Sequence, residues 1–263
     1  MPTFTPKIIF FDIDDTLYHK KYGLHPSTQS ALERLSEQGI ILAIATGRSP
    51  AIFPQSINEL IHHLGIETII GINGQYVRHQ SALLQDTAIP HEDIATLKAL
   101  CRAHKVEFCL ISDQKMAVSR DTERVFQSLT SIGEYHVNPN YQDQSPIYQM
   151  LMFINEEEQR QVENHALFTR YKMVRWHEVS VDVLPKSMSK ALGIQQLCAK
   201  LGISPKDCMA FGDGWNDVEM FETVGFSVAM GNAVEGVKQR ANFITTSTSE
   251  GGIAHALAHL GLI

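Results

Sequence analysis

The sequence predicts an α/β fold: a parallel-sheet core interrupted by one long α+β insertion. Three observations carry this expectation. Strand-like and helix-like segments alternate at both ends of the chain, the pattern of a parallel sheet with right-handed crossovers. The end strands are unbroken apolar runs, as in a sheet covered on both faces. Between residues 83 and 184 the alternation gives way to helices mixed with hairpins. The core is therefore expected over 1–82 and 185–263, and the inserted domain over 83–184.

Taken in order, "KIIFFDI" reads as a buried strand and "HPSTQSALERLSEQG" as a helix. Ala31, Leu32 and Leu35 share a face of that helix, and Gly39 is placed to end it. "IILAIAT" is a second strand, "SPAIFPQSINELIHHLG" a second helix and "ETIIGING" a third strand. In the insertion, "EDIATLKALCRAH", "DTERVFQSLTSIG" and "EEEQRQVENHALFTRY" read as helices. "VEFCLIS" with "KMAVS", "IYQMLMFI", and "KMVRWH" with "VSVDVLP" read as strands of an antiparallel sheet. After Pro185 come a helix ("SMSKALGIQQLCAKLG"), a strand ("CMAFGDG"), a helix ("NDVEMFETVG") and a strand ("FSVAMGN"). The helix "AVEGVKQRA", the short strand "FITT" and the helix "GGIAHALAHLG" complete the chain.

The 263 residues carry a formal net charge of −7, with 44% hydrophobic residues. An acidic chain lacks the basic surface that grips a nucleic-acid backbone. The four cysteines, Cys101, Cys109, Cys198 and Cys208, form no C-x-x-C pair and sit among apolar neighbours. They are expected to be buried, reduced thiols. The apolar run near the N-terminus ends in acids, unlike a signal peptide. No apolar stretch approaches the ~20 residues of a spanning helix. The expectation is a soluble, cytoplasmic protein without nucleic-acid or membrane partners.

Ligands of open parallel sheets bind outside the carboxyl ends of the strands. The first strand ends at Asp12-Ile13-Asp14, with Asp15 beyond it. Three carboxylates so close repel, and burying one unpaired is costly. A cation should sit among them. The second strand ends at Thr46-Gly47-Arg48 and the third at Asn73-Gly74. The strand after the insertion ends at Gly212-Asp213-Gly214, followed by Asn216-Asp217. Lys190 stands near a helix start expected at the same rim. Asp12 and Asp213 together make a hard oxygen site suited to Mg²⁺. Thr46 offers a hydroxyl, Gly47 a close backbone N–H for an anion, and Lys190 a point charge for a phosphate oxygen.

D-x-D-x-T (Asp12, Asp14, Thr16), T-G-R (Thr46 to Arg48), Lys190 and G-D-G-x-N-D (Gly212 to Asp217) occur in that order. This arrangement resembles the haloacid dehalogenase superfamily, and the insertion resembles the type-B C2 cap of its Cof-like phosphatases. The resemblance implies a Rossmann-like core and a Mg²⁺-dependent phosphatase of a small phosphorylated metabolite, acting as a monomer or homodimer. A phosphotransferase or phosphomutase, or a phosphate-binding regulator without turnover, are the rival functions. It further implies that Asp12 attacks phosphorus and Asp14 serves as acid and base. Asp12, the Asp14 carbonyl and Asp213 hold the metal. Thr46, Gly47, Lys190 and Asn216 bind phosphate oxygens, while Asp217 orients Lys190 or a water of the metal shell. The cap is expected to close over substrate and set specificity. One position departs from the pattern: Asp15 stands where many Cof-like members have glycine.

Other conspicuous residues read as structural. His255 and His259, at i and i+4, lack the glutamate of a zinc helix. His62-His63 reads likewise. "EEEQR" is a solvated helix start, and Arg175-Trp176-His177 belongs to a hairpin. For Arg48 a pocket role and a structural one stay equally open.

Overall fold

The computed structural model describes residues 5–130 and 132–263. The first four residues and Ser131, in the helix expected at 121–133, lie outside the described residues. The chain divides into two compact units: residues 1–47, 54–86 and 189–263, and residues 48–53 and 87–188.

The chain begins with β1 (Ile8–Phe11), the short strands β2 (Tyr18–His19) and β3 (Gly23–Leu24), and α1 (Pro26–Glu37). Then come β4 (Ile41–Ala45), α2 (Gln55–Leu64), β5 (Thr68–Gly71), β6 (Tyr76–His79) and β7 (Ala82–Asp86). The inserted elements are α3 (His91–Ala103), β8 (Phe108–Ile111), β9 (Met116–Val118), α4 (Glu123–Leu129) and β10 (Tyr135–Val137). They continue with β11 (Gln149–Met152), α5 (Glu156–Val162), β12 (Tyr171–His177) and β13 (Ser180–Pro185). The chain returns through α6 (Lys190–Leu201), β14 (Cys208–Gly212), α7 (Val218–Thr223) and β15 (Phe226–Ala229). It finishes with α8 (Glu235–Lys238), β16 (Phe243–Ile244) and α9 (Gly252–His259). No described helix is long and apolar enough to cross a membrane.

The first unit is built on an eight-stranded sheet in the order β16-β15-β14-β1-β4-β5-β6-β7. The six strands from β16 to β5 are parallel. β1 lies in the middle, and its four side chains are fully buried, which is why "IIFF" alternates nowhere. Phe11 pairs with Phe211 of β14 and with Ile44 of β4, so the three strands end together at one rim. One face carries a core of Phe10, Ala43, Ile70, Ile194, Leu197, Ala210 and Phe221 among others. β6 and β7 add an antiparallel hairpin beyond β5. That hairpin belongs to the first unit, whose middle segment runs to Asp86, and the second unit runs to Met188. The helix expected from Ser49 begins only at Gln55. Pro54 disfavours helical backbone in the residue before it, and Phe53 is accordingly extended (φ −67°, ψ 136°).

The second unit has a six-stranded sheet in the order β10-β9-β8-β11-β13-β12. Its pairs are antiparallel except β9 with β10, which are parallel. β10 is three residues long and mostly exposed, too short for a pattern, which is why its sequence does not announce it. One sheet face packs under α3 and α5 through Ile94, Leu97, Cys101, Met150, Met152 and Val162. The other gathers Cys109, Ile111, Val118 and Leu151 with Val125 and Leu129 of α4. Ile52 joins this second cluster, and the Ser49 hydroxyl donates to the Ser112 carbonyl at 2.6 Å; these contacts assign 48–53 to this unit. α5 stops at Val162 and gives way to a 3₁₀ turn over Ala166–Thr169. Within "EEEQR", Glu158 closes a capping box with Asn155 and pairs with Arg124 at 2.9 Å.

In the turn after β5, Ile72, Asn73 and Gly74 all have positive φ (51°, 49° and 88°). A Cβ on Gly74 would lie 2.2 Å from the Ser189 carbonyl oxygen. Ser189 is the N-cap of α6, so this glycine lets the start of that helix seat against the turn. Gly74→Ala should combine left-handed strain with overpacking and cost about 2 kcal/mol or more. The check is thermal unfolding: a midpoint lowered by roughly 5 °C is expected, and an unchanged midpoint contradicts the packing described.

Candidate active site

The rim where β1, β4 and β14 end collects the polar residues of the first unit. Asp12, 5% exposed, directly follows β1. α6 begins at Lys190, whose side chain is fully buried. Its ammonium donates to Asp12 Oδ1 at 2.8 Å and to Asp217 Oδ1 at 2.6 Å. Asp217, also fully buried, accepts on Oδ2 from the N–H groups of Asp213 (2.8 Å) and Gly214 (2.9 Å). A Cβ on Gly212 would sit 2.5 Å from the Asp217 carboxyl carbon; the glycine makes room for that carboxylate. Asp213 accepts from the Thr16 hydroxyl at 2.8 Å.

Carboxylate oxygens of Asp12, Asp213 and Asp217 lie within 4.8 Å of one another. Three carboxylates against one ammonium leave two unbalanced negative charges when all are ionised. Burial pushes the Asp12 carboxyl well above the ordinary range; Lys190 opposes this, and Asp217, Asp213 and Asp14 add to it. Asp213 is pushed up to about 7, by burial first and then by Asp217. Burial draws Lys190 down, but Asp12 and Asp217 outweigh it and hold the ammonium charged above its usual range. The cluster thus invites either protons or a divalent cation, and its donors are the hard oxygens that Mg²⁺ takes. Asp217 already serves Lys190 and two backbone N–H groups. Asp12 and Asp213 are therefore the carboxylates suited to a metal.

The neighbouring part of the rim is uncharged. Thr46 is fully buried after β4; its N–H donates to Ile70 and its carbonyl accepts from Asn73. A Cβ on Gly47 would meet the amide nitrogens of Asn73 at 3.3 Å and Asn216 at 3.7 Å. Asn216 Nδ2 donates to Asn73 Oδ1 at 3.4 Å. Side-chain amides and a backbone N–H at Gly47 make this a surface for anionic oxygens. The structure thus brings together Asp12, Lys190, Asp213 and Asp217, and separately Gly47 and Asn216. Asp14 is half-buried in the turn two residues beyond Asp12.

The sequence places Asn73 at the rim but assigns it no role, and its left-handed backbone (φ 49°) has no signal in a turn without periodicity; Thr16 likewise closes D-x-D-x-T without a role. The remaining conspicuous residues have structural partners. His255 Nδ1 lies 2.9 Å from the Thr245 hydroxyl, His259 stacks on Phe243, and His63 pairs with Glu33 at 2.9 Å. Arg48 donates to the Ile52 carbonyl, and Arg175 to the carbonyls of Ile154, His177 and Glu178 and to Gln159.

Comparison with known proteins identifies the family and the fold. Residues 9–257 match the family model of the haloacid dehalogenase-like hydrolases. YkrA of Bacillus subtilis, described as a "putative phosphatase", is 36% identical over 261 residues, covering 98% of both chains. A hypothetical protein from Geobacillus kaustophilus HTA426 superposes with a TM-score of 0.91 at 38% identity, over 98% of this chain and 100% of the other. A sugar phosphatase of HAD subclass IIB does so with a TM-score of 0.83 at 31% identity, again over 98% and 100%.

Two outcomes follow from the buried charges. Asp217→Ala strips Lys190 of one carboxylate and orphans two N–H groups; urea unfolding should show a loss of about 3 kcal/mol, and wild-type stability contradicts the pairing. Because a cation must displace the proton of Asp213, Mg²⁺ affinity should fall as pH drops below about 7. Calorimetric titration at about pH 6 and about pH 8 checks this, and equal affinities contradict it.

Proposed function

Since this chain belongs to the haloacid dehalogenase-like hydrolases, we propose that it is a Mg²⁺-dependent phosphatase releasing phosphate from a small phosphorylated metabolite through an aspartyl-phosphate. The observation that carries the reading is the meeting of Asp12 and Lys190 at 2.8 Å across 178 positions of chain, beside Asp213. Nothing in packing alone requires a lysine to be wholly buried between two acids.

Asp12 attacks the phosphorus in line, and the bond to the leaving oxygen breaks. Asp14 donates its proton to that oxygen. The resulting carboxylate then takes a proton from water, whose oxygen attacks the phosphorus and frees Asp12. The Thr46 hydroxyl, the Gly47 N–H, Lys190 and Asn216 hold the phosphoryl oxygens and fix the line of attack. Asp12, the Asp14 carbonyl and Asp213 would hold Mg²⁺, which would supply positive charge against the developing phosphoryl charge. Lys190, kept cationic by Asp12 and Asp217, binds rather than transfers a proton.

Choice of leaving group falls to the inserted unit over 87–188, in which the sequence carries no phosphate motif. The likeness to a sugar phosphatase makes sugar phosphates the first compounds to try. Phosphate release without an added acceptor separates hydrolysis from transfer to a sugar hydroxyl.

Asp12→Asn should abolish turnover, since an amide is a poor nucleophile; retained phosphate release in a malachite-green assay removes Asp12 from its role. Chelation with EDTA should stop wild-type turnover and Mg²⁺ should restore it. Full activity in thoroughly chelated protein contradicts the metal requirement.

A further inference from the structure

The turn that carries Asp14 is anchored by the two loops that follow β15 and β16, strands parallel to β1 at one edge of the sheet. Asp15 has a left-handed backbone (φ 53°), which costs an L residue on the order of 1 kcal/mol unless neighbours fix it. Its N–H donates to the Tyr18 carbonyl at 2.8 Å. Its carbonyl accepts two side-chain hydrogen bonds, from Asn232 Nδ2 at 2.8 Å and from the Thr248 hydroxyl. Asn232 Oδ1 in turn accepts from the Thr248 N–H at 2.8 Å, so each clamp residue orients the other. Asn232 follows β15 and Thr248, buried, follows β16. The same stretch is tied to the Asp213 loop, because Met230 donates to the Gly212 carbonyl and Val234 to the Asp213 carbonyl.

We propose that Asn232 and Thr248 are positioning residues that hold Asp14 for proton transfer through the carbonyl of Asp15. The peptide joining Asp14 to Asp15 is planar, with the Asp14 carbonyl opposed to the Asp15 N–H. Pinning both polar groups of Asp15 therefore fixes the direction of the Asp14 carbonyl and the backbone from which its carboxyl projects. A glycine at position 15 would adopt this backbone freely; aspartate depends more on the clamp. The inference rests on the acid–base reading of Asp14 given above.

A general acid matters most for a poor leaving group. The test compares an alkyl phosphate, glycerol phosphate, with p-nitrophenyl phosphate, whose leaving group needs no proton. Thr248→Val removes the hydroxyl at constant shape, Thr248→Ser keeps it, and Asn232→Ala removes the second donor. Thr248→Val and Asn232→Ala should lower kcat/KM, which reports the step that expels the leaving group, by ~10-fold or more on glycerol phosphate, with a much smaller loss in kcat/KM on p-nitrophenyl phosphate. Every comparison is of kcat/KM, because the shared hydrolysis of the phosphoenzyme affects kcat on both. Thr248→Ser should stay near wild type on both. Asp14→Asn, run alongside, should show the same selectivity in stronger form. If Asp14→Asn is selective but the clamp variants lose equally on both substrates, or lose nothing, the clamp is overturned while the acid–base reading stands. If Asp14→Asn shows no selectivity, the reading of Asp14 falls and the clamp's role falls with it. Thermal midpoints separate an unfolded variant from a mispositioned one.

Discussion

A lysine ammonium sealed between two carboxylates is the interaction on which the rest of the site depends. Lys190 has no access to water, and each of its acidic partners is itself nearly or wholly buried. A buried charge is tolerable only when paired and hydrogen-bonded. The pairing requires that β1, β14 and the first turn of α6 end at one place, and the parallel sheet supplies that. Register does the rest, since Phe11 lies opposite Phe211 and the residues beyond them emerge side by side. Asp217 converts the arrangement into a rigid one by binding Lys190 with one oxygen and the Asp213 loop with the other.

The electrostatic surplus then becomes functional. Lys190 balances one carboxylate of the three, and the two negative charges left when all are ionised match the charge of one divalent cation. Protons can meet the same surplus, since burial and then Asp217 push the Asp213 carboxyl up to about 7. A surplus of carboxylates in a buried cluster is thus better understood as a binding capacity than as a contribution to stability.

Much of this was legible because strand ends are legible. Unbroken apolar runs marked β1, β4, β5 and β14, and the polar residues just past them had to share a rim. Lys190 was placed correctly because it opens a helix whose apolar face could be read from Ala191, Ile194 and Cys198. What escaped were features without periodicity. Pro54 split an expected helix. The β6–β7 hairpin extended the core sheet, where the sequence suggested the insertion was about to begin. β10 paired in parallel within a sheet expected to be antiparallel. Asn232 and Thr248 act through a few side-chain hydrogen bonds from loops, and an isolated Asn or Thr in a loop looks the same whether it caps a turn or supports a catalytic one. The departure at Asp15 was visible in the sequence, but its meaning needed the φ of 53°.

The central claim is that Asp12 becomes phosphorylated. Its most direct measurement is acid quenching during turnover of a radiolabelled phosphoester, followed by peptide mapping. The account predicts acid-stable, hydroxylamine-labile label on the peptide that begins the chain's first strand, at Asp12, accumulating in Asp14→Asn and absent in Asp12→Asn. Label on another residue, or turnover with no label in any variant, would contradict it.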